Sequence, residues 1–206
     1  KIAAFYFLPK DKPEPFMENW GEILDNNLSK LKKFHSAQFR EFSKLDYKIY
    51  PRMVIGEKES LAYDTQVTQH GNPQALRNIA PEIERRIFDS NGDLFIDDFL
   101  PECRMSGKRL VGSGEVYCVI VIVYEGIGAS GSENVALLSR IFLTDSQYSA
   151  TAATLLAHEF YHTLGLPDAY DIITAVPFSQ DIMGLGRFKP IEKTYLDKDN
   201  LIQLGL

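Results

Sequence analysis

One run limits what this chain can become: HEFYHTLGLPDAYD, from His158 to Asp171. On a helix, residues four apart share a face one turn apart, so His158 and His162 can offer two imidazole nitrogens to one ion. Glu159 stands beside the first of them, on the side where a water held by that ion would sit. Two imidazoles and a carboxylate base are the parts that metal-assisted hydrolysis needs. Catalytic zinc takes three protein ligands and keeps one position open, so a third ligand is required. Gly165 follows the helical run, where a residue with positive φ reverses the chain cheaply. Pro167 then discourages renewed helix, and Asp168 arrives as the third candidate. Asp171 suits a ligand less well and reads as a brace for a neighbour or a cation.

The full pattern, HExxHxxGxxD, resembles the metzincin zinc-peptidase consensus, with aspartate where most of those families place a third histidine. Its longer form, HExxHxLGLPDxYD, is similar to snapalysin-type and immune inhibitor A-type (M6-like) secreted bacterial metallopeptidases. A bare HExxH occurs by chance in roughly one in forty chains of this size, so the glycine, the aspartate and the preceding apolar helix carry the specificity. The resemblance implies a zinc endopeptidase acting on proteins or peptides. His158, His162 and Asp168 would hold one zinc, and Glu159 would be the general base that activates a zinc-bound water. It also implies a role for Met183 in SQDIMGLG, twenty-one residues after His162, because DIMG looks like the Met-turn of these families. A methionine there is an apolar, polarizable floor rather than a ligand. A gluzincin-type glutamate ligand finds no support, since Leu196 stands where the ExxxD spacing from Glu192 needs aspartate. Some metzincins place an oxyanion-stabilising tyrosine just after the Met-turn. Here the next is Tyr195, twelve residues on; Tyr161 and Tyr170 are nearer the metal ligands in sequence, and none is singled out.

Around this run the chain reads as α/β (α+β), zincin-like, with a twisted mixed sheet. KIAAFYFLP is a first strand, and residues 15–42 carry apolar positions at helical spacing from Trp20 to Phe39. His35 and Gln38 interleave with that stripe as packing or surface residues, and Asn27-Leu28-Ser29 is a sequon awkwardly placed in mid-helix. Residues 45–56 are a second strand, giving a parallel crossover around the long helix. His70 falls in a polar loop, where a solvated histidine is the plainer reading than a ligand. Residues 74–88 are helical, with Pro81 either breaking the run or opening a second helix. Residues 101–114 read as loop, and Glu115 to Tyr124 as the most apolar strand. EGIGASGSEN reads as a mobile loop, VALLSRIFLT as the sheet-edge strand beside the cleft, and residues 150–164 as the metal helix crossing beneath the sheet. LDKDNLIQLGL is a closing helix. The expected organisation is one catalytic domain, 1–206, with an upper lobe (1–165) and a small C-terminal lobe (166–206).

DSNGDLFIDDF sets oxygens at Asp89, Asn91, Asp93 and Asp97 at turn spacing, which suits calcium. It resembles the DxNGDGxxD segment of M6-like peptidases. It departs from an EF-hand loop at Leu94 and Leu100, so a calcium site and a solvated acidic turn both stand open. The formal charge of −6 argues against nucleic acid or an anionic membrane as partner, and no apolar run approaches the ~18 residues of a span. Cys103 and Cys118 could be bridged or free. The chain opens at Lys1 rather than methionine, and with the resemblance this predicts a secreted protein whose signal or pro-segment lies upstream. The rival reading is a binding or adhesion module on a peptidase-like fold with a structural zinc. Glu159 weighs against it, since a structural site has no use for a base.

Overall fold

The side chains of β1 (Ile2–Leu8) divide by parity, and both halves are fully buried. Ile2, Ala4, Tyr6 and Leu8 enter one apolar cluster; Ala3, Phe5 and Phe7 enter another on the opposite face. A strand with two buried faces must be central and covered on both sides. The computed structural model, which describes residues 1–12, 17–64, 71–171, 173–174 and 176–206, places it so.

β1 pairs in parallel with β2 (Tyr47–Ile49) and β3 (Val54–Ile55) along one edge, and with β6 (Val119–Tyr124) along the other. β8 (Val135–Ser139) follows in parallel, and β7 (Ala129–Ser132) closes that side antiparallel to β8. The order is β2-β1-β6-β8-β7, a mixed sheet. The run 45–56 is thus two short strands rather than one. The edge strand is also not where the sequence suggested: VALLS lies inside the sheet, and ASGS, read as a mobile loop, is the edge. Its small residues lack strand propensity, but Gly131 lets the strand lie directly on the metal helix, where a Cβ would come 2.2 Å from the Glu159 carbonyl oxygen.

On one face of the sheet lie α1 (Trp20–Phe39) and the metal helix α5 (Ala152–Thr163), packed on each other. α1 begins at Trp20, inside the expected 15–42. It buries Leu24, Leu28, Leu31, Phe34 and Phe39, the stripe that helical spacing predicts. Asn27 is buried, and its amide donates to the Ile23 carbonyl at 2.8 Å, so the sequon is closed to modification. The opposite face is covered by α3 (Pro73–Ile83), the π-helical turn Glu84–Phe88, and a hairpin of β4 (Cys103–Ser106) and β5 (Arg109–Gly112), where loop was expected. Pro81 sits within α3, and the ring that cannot donate is followed by the wider π turn. Cys103 and Cys118 form a disulfide tying this hairpin to the start of β6. No helix among the described residues is long and apolar enough to cross a membrane. His70 lies outside the described residues.

The structure gives the calcium reading of Asp89, Asn91, Asp93 and Asp97 no support. Arg86 takes Asp93 with a two-pronged grip, Nε to Oδ1 at 2.9 Å and Nη2 to Oδ2 at 3.0 Å. Asp89 turns onto the backbone N–H of Asn91 at 3.0 Å. Among the described residues these acids do not gather around a common point. A guanidinium seven residues upstream occupies Asp93, and sequence spacing gave no sign of it.

His35 is 3% exposed at the α1–α5 contact. Its ring stacks on Phe39 at 4.2 Å, with Nδ1 3.3 Å from the Tyr161 hydroxyl and Nε2 2.9 Å from Ser43 Oγ. Burial pushes its pKa down to about 4 from the ordinary 6.5. The native state therefore refuses a proton that the unfolded chain accepts, so stability present above pH 6.5 drains as pH falls towards 4. Between pH 7 and pH 5 this amounts to about 2 kcal/mol. Urea unfolding of wild type and His35→Phe at both pH values should show the mutant losing less by about that amount. Equal losses would remove His35 from the acid response. On the opposite face, Cys103→Ala/Cys118→Ala should lower unfolding free energy by about 3 kcal/mol for the short loop closed, while zinc stoichiometry stays unchanged.

Candidate metal centre

α5 is alanine- and leucine-rich, buries Ala153, Leu156, Ala157 and Phe160, and so holds its ligand face on a rigid support. It ends where expected: Gly165 adopts φ 92°, and Leu166 N–H returns to the Tyr161 carbonyl at 3.2 Å. The reversal carries the chain back past the helix end and sets Asp168 against both histidines.

The geometry fixes the tautomers. His158 Nδ1 lies 3.0 Å from the Ile182 carbonyl oxygen and His162 Nδ1 lies 2.7 Å from that of Leu166. A carbonyl can only accept, so each Nδ1 carries the proton and donates. In the neutral rings each Nε2 is then a bare lone pair. Those two Nε2 atoms lie 3.2 Å apart, and each is 3.2 Å from Asp168 Oδ1. Oδ1 is buried and has no hydrogen-bond partner. Three acceptors thus face one another across a gap that calls for a positive centre. Tetrahedral zinc with ligand distances of 2.0 to 2.1 Å separates its ligands by about 3.3 to 3.4 Å. The three atoms fit one face of that tetrahedron, and the donor set of two imidazoles and a carboxylate suits zinc. This is the sole such group of His, Cys, Asp or Glu among the described residues.

The charges follow. Burial alone would push the Asp168 carboxyl up, but hydrogen bonds and charge from His158 and His162, once protonated at Nε2, hold it well below the usual carboxylate range. Burial would lower His162, yet Asp168 and Glu159 keep it raised. Glu159 is half-buried on the ligand face of the helix; desolvation raises its pKa, opposed by the two histidines and by Arg187.

Met183 is fully buried. Its turn is built on Asp181, also fully buried, whose carboxylate accepts from Ser179 Oγ (2.9 Å), Met183 N (3.1 Å), Asp197 N (3.3 Å) and Asn200 Nδ2 (2.5 Å). That turn presents the Ile182 carbonyl to His158. Met183 O also accepts from Ala169 N at 2.9 Å, tying the turn to the residue after Asp168. Asp171 closes its own turn, accepting from the Ile173 and Thr174 N–H groups at 3.0 and 2.7 Å, and takes no part in the ligand set.

Two further side chains enter the site, Tyr170 from within the motif and Arg187 from outside it. Arg187 lies with Cζ 3.9 Å over the Tyr170 ring and 4.4 Å over Phe188, and its Nη1 donates to the Gly184 carbonyl at 3.0 Å. Burial raises the pKa of Tyr170, and Asp168 beside it raises it further. Around them Ile173, Val176, Phe178 and Phe188 stand exposed, an apolar rim. Tyr161 instead points into the core against His35 and Phe34.

No protein-family model matches this chain, and no curated protein matches it. Solved structures do. OgpA from Akkermansia muciniphila, in its catalytically inactive form with an O-glycopeptide substrate, aligns at TM-score 0.54 and 14% identity, over 97% of this chain and 58% of that one. Archaemetzincin from Methanopyrus kandleri aligns at TM-score 0.46 and 12% identity, over 98% and 93% of the two chains. A zinc-dependent peptidase from Methanocorpusculum labreanum aligns at TM-score 0.45 and 15% identity, over the whole of both. At such identities the likeness is one of fold, and this mixed α/β fold is one that OgpA shares.

Proposed function

We propose that this chain is a zinc-dependent endopeptidase of metzincin-like architecture. The observation that carries the reading is the buried, unpartnered Oδ1 of Asp168, equidistant at 3.2 Å from two imidazole lone pairs. The motif HExxHxLGLPDxYD supports grouping it with snapalysin-type and M6-like peptidases. His158, His162 and Asp168 would hold the zinc, which supplies a Lewis acid that polarises the scissile carbonyl and acidifies water. Glu159 is the general base. It takes a proton from the attacking water as the water oxygen bonds to the carbonyl carbon, then gives that proton to the amine nitrogen as the C–N bond breaks. Desolvation, which raises the Glu159 pKa, suits it to accept and return a proton near neutral pH.

β7 is the substrate rail. It ends the strand order of the described sheet and lies against the backbone of Glu159; Asn72 N–H takes the Ala129 carbonyl at its start, so an extended peptide pairing along the rest of it would pass the base. Residues 1–165 then form the upper part of a catalytic domain and 166–206 the floor, with Met183 beneath the ligands. The Cys103–Cys118 bridge supports an oxidising, extracellular setting.

The decisive comparison is wild type against Glu159→Ala on a denatured protein mixture, read by mass spectrometry, with zinc measured on both. Cleavage should vanish in the mutant while zinc remains; zinc-loaded wild type that cuts nothing would sink the peptidase reading. Asp168→Ala tests the ligand set separately. It should weaken zinc by at least tenfold in a chelator competition, and unchanged affinity would remove Asp168 from the ligands.

A further inference from the structure

Zinc would polarise the scissile carbonyl, and a protein donor would share the charge that builds on its oxygen as water adds. Tyr161, one of the tyrosines nearest the motif, is excluded because it is fully buried against α1. What the fold brings there instead is Arg187. We infer that Arg187, clamped between the rings of Tyr170 and Phe188, is a catalytic residue that hydrogen-bonds the scissile carbonyl oxygen. The inference rests on the peptidase reading.

The placement is built from backbone. Ala169 N–H donates to Met183 O, and Phe178 N–H donates to Ala169 O, so the strand after Asp168 lies between the Met-turn and the returning chain. A 3-10 turn, Leu185–Phe188, then rises from Gly184. Gly184 is packed so closely that an added Cβ would stand 2.3 Å from the Ser179 carbonyl and 3.1 Å from that of Ala169. This contact fixes where the turn departs. Arg187 therefore lies over Tyr170, two residues past a ligand.

The second argument is what Arg187 does not do. In a chain with more acids than bases, a half-buried arginine ordinarily finds a carboxylate. Among the described residues none lies at ion-pair distance from Arg187, although Asp168 and Glu159 are near enough for their charge to act on it. Of its five N–H donors, the described partner, Gly184 O, uses one. Two aromatic faces hold the guanidinium flat, so its remaining donors are fixed in direction before a substrate arrives. A preorganised cation in a partly desolvated site costs no reorganisation when charge develops, which is where such a donor contributes most. The guanidinium keeps its protons throughout. It contributes a hydrogen bond and a charge, and Glu159 handles the proton.

The test uses Arg187→Gln and Arg187→Ala with zinc content and melting temperature measured on each. Peptides that wild type cleaves are compared in neutral and acidic versions. The expected result is a kcat lower by about 10²- to 10³-fold on both kinds of peptide, with KM changed little. Millimolar guanidinium should restore part of the Arg187→Ala rate. A phosphinic peptide, which carries the negative tetrahedral centre, should bind Arg187→Gln weaker by a similar factor in calorimetry. Losses confined to KM on acidic peptides would make Arg187 a specificity residue and overturn the proposal. Unchanged kcat, or loss of zinc or fold in both variants, overturns it too while leaving the peptidase reading intact. Wild type that cleaves nothing removes both readings.

Discussion

Three acceptor atoms held 3.2 Å from one another are the constraint on which the rest of this structure turns. Without a cation their lone pairs repel, so the chain must hold them together against that repulsion. The helix alone does not do so. Each histidine is oriented through its far nitrogen, one by the Leu166 carbonyl in the turn after Gly165 and one by the Ile182 carbonyl before Met183. Both anchors lie beyond the helix end. The ligand geometry therefore depends on two turns and on the buried Asp181 carboxylate, which pins the second turn with four donors.

The sheet supplies the rigidity those turns lack. β1 and β6 are buried throughout, and next to them β8 and β7 carry α5 beside α1. Burial of side chains such as Leu156 and Phe160 contributes roughly 1.5 to 3 kcal/mol each, enough to hold a helix that carries a strained polar cluster on one face. Gly131 allows β7 to touch the helix backbone at the residue that bears the base. Any larger side chain there would lift the edge strand from α5, so one glycine couples sheet packing to the position of Glu159 and His162.

The clustering of His158, His162 and Asp168 was legible because their relation is local: helical spacing joins the two histidines, and a glycine reversal brings Asp168 back. The same holds for β1, β6 and the long helix, whose periodicities are strong. What failed was non-local. ASGS has no strand propensity and is a strand because β8 offers an edge and α5 a flat bed. The acidic turn 89–97 has the spacing of a cation loop, but spacing cannot show that Arg86 folds onto Asp93. Two cysteines fifteen residues apart are compatible with a bridge or with thiols; only the hairpin brings them together. Arg187 follows the Met-turn by four residues, and its place over Tyr170 depends on backbone pairing between two loops.

That last dependence explains why charge in this site is balanced rather than paired. Glu159 and Asp168 are both carboxylates, and desolvation acts to raise the pKa of each. Asp168 is brought down by the imidazoles that face it, whereas Glu159 stays raised. A salt bridge from Arg187 to either would spoil the division, pulling the base too low or competing for the ligand. Stacking on Tyr170 and Phe188 keeps the guanidinium's charge near without letting it close on a carboxylate. The aromatic clamp thus keeps apart three charges that bare electrostatics would collapse: Asp168 held ionised, Glu159 held raised, and the Arg187 guanidinium stacked on two rings.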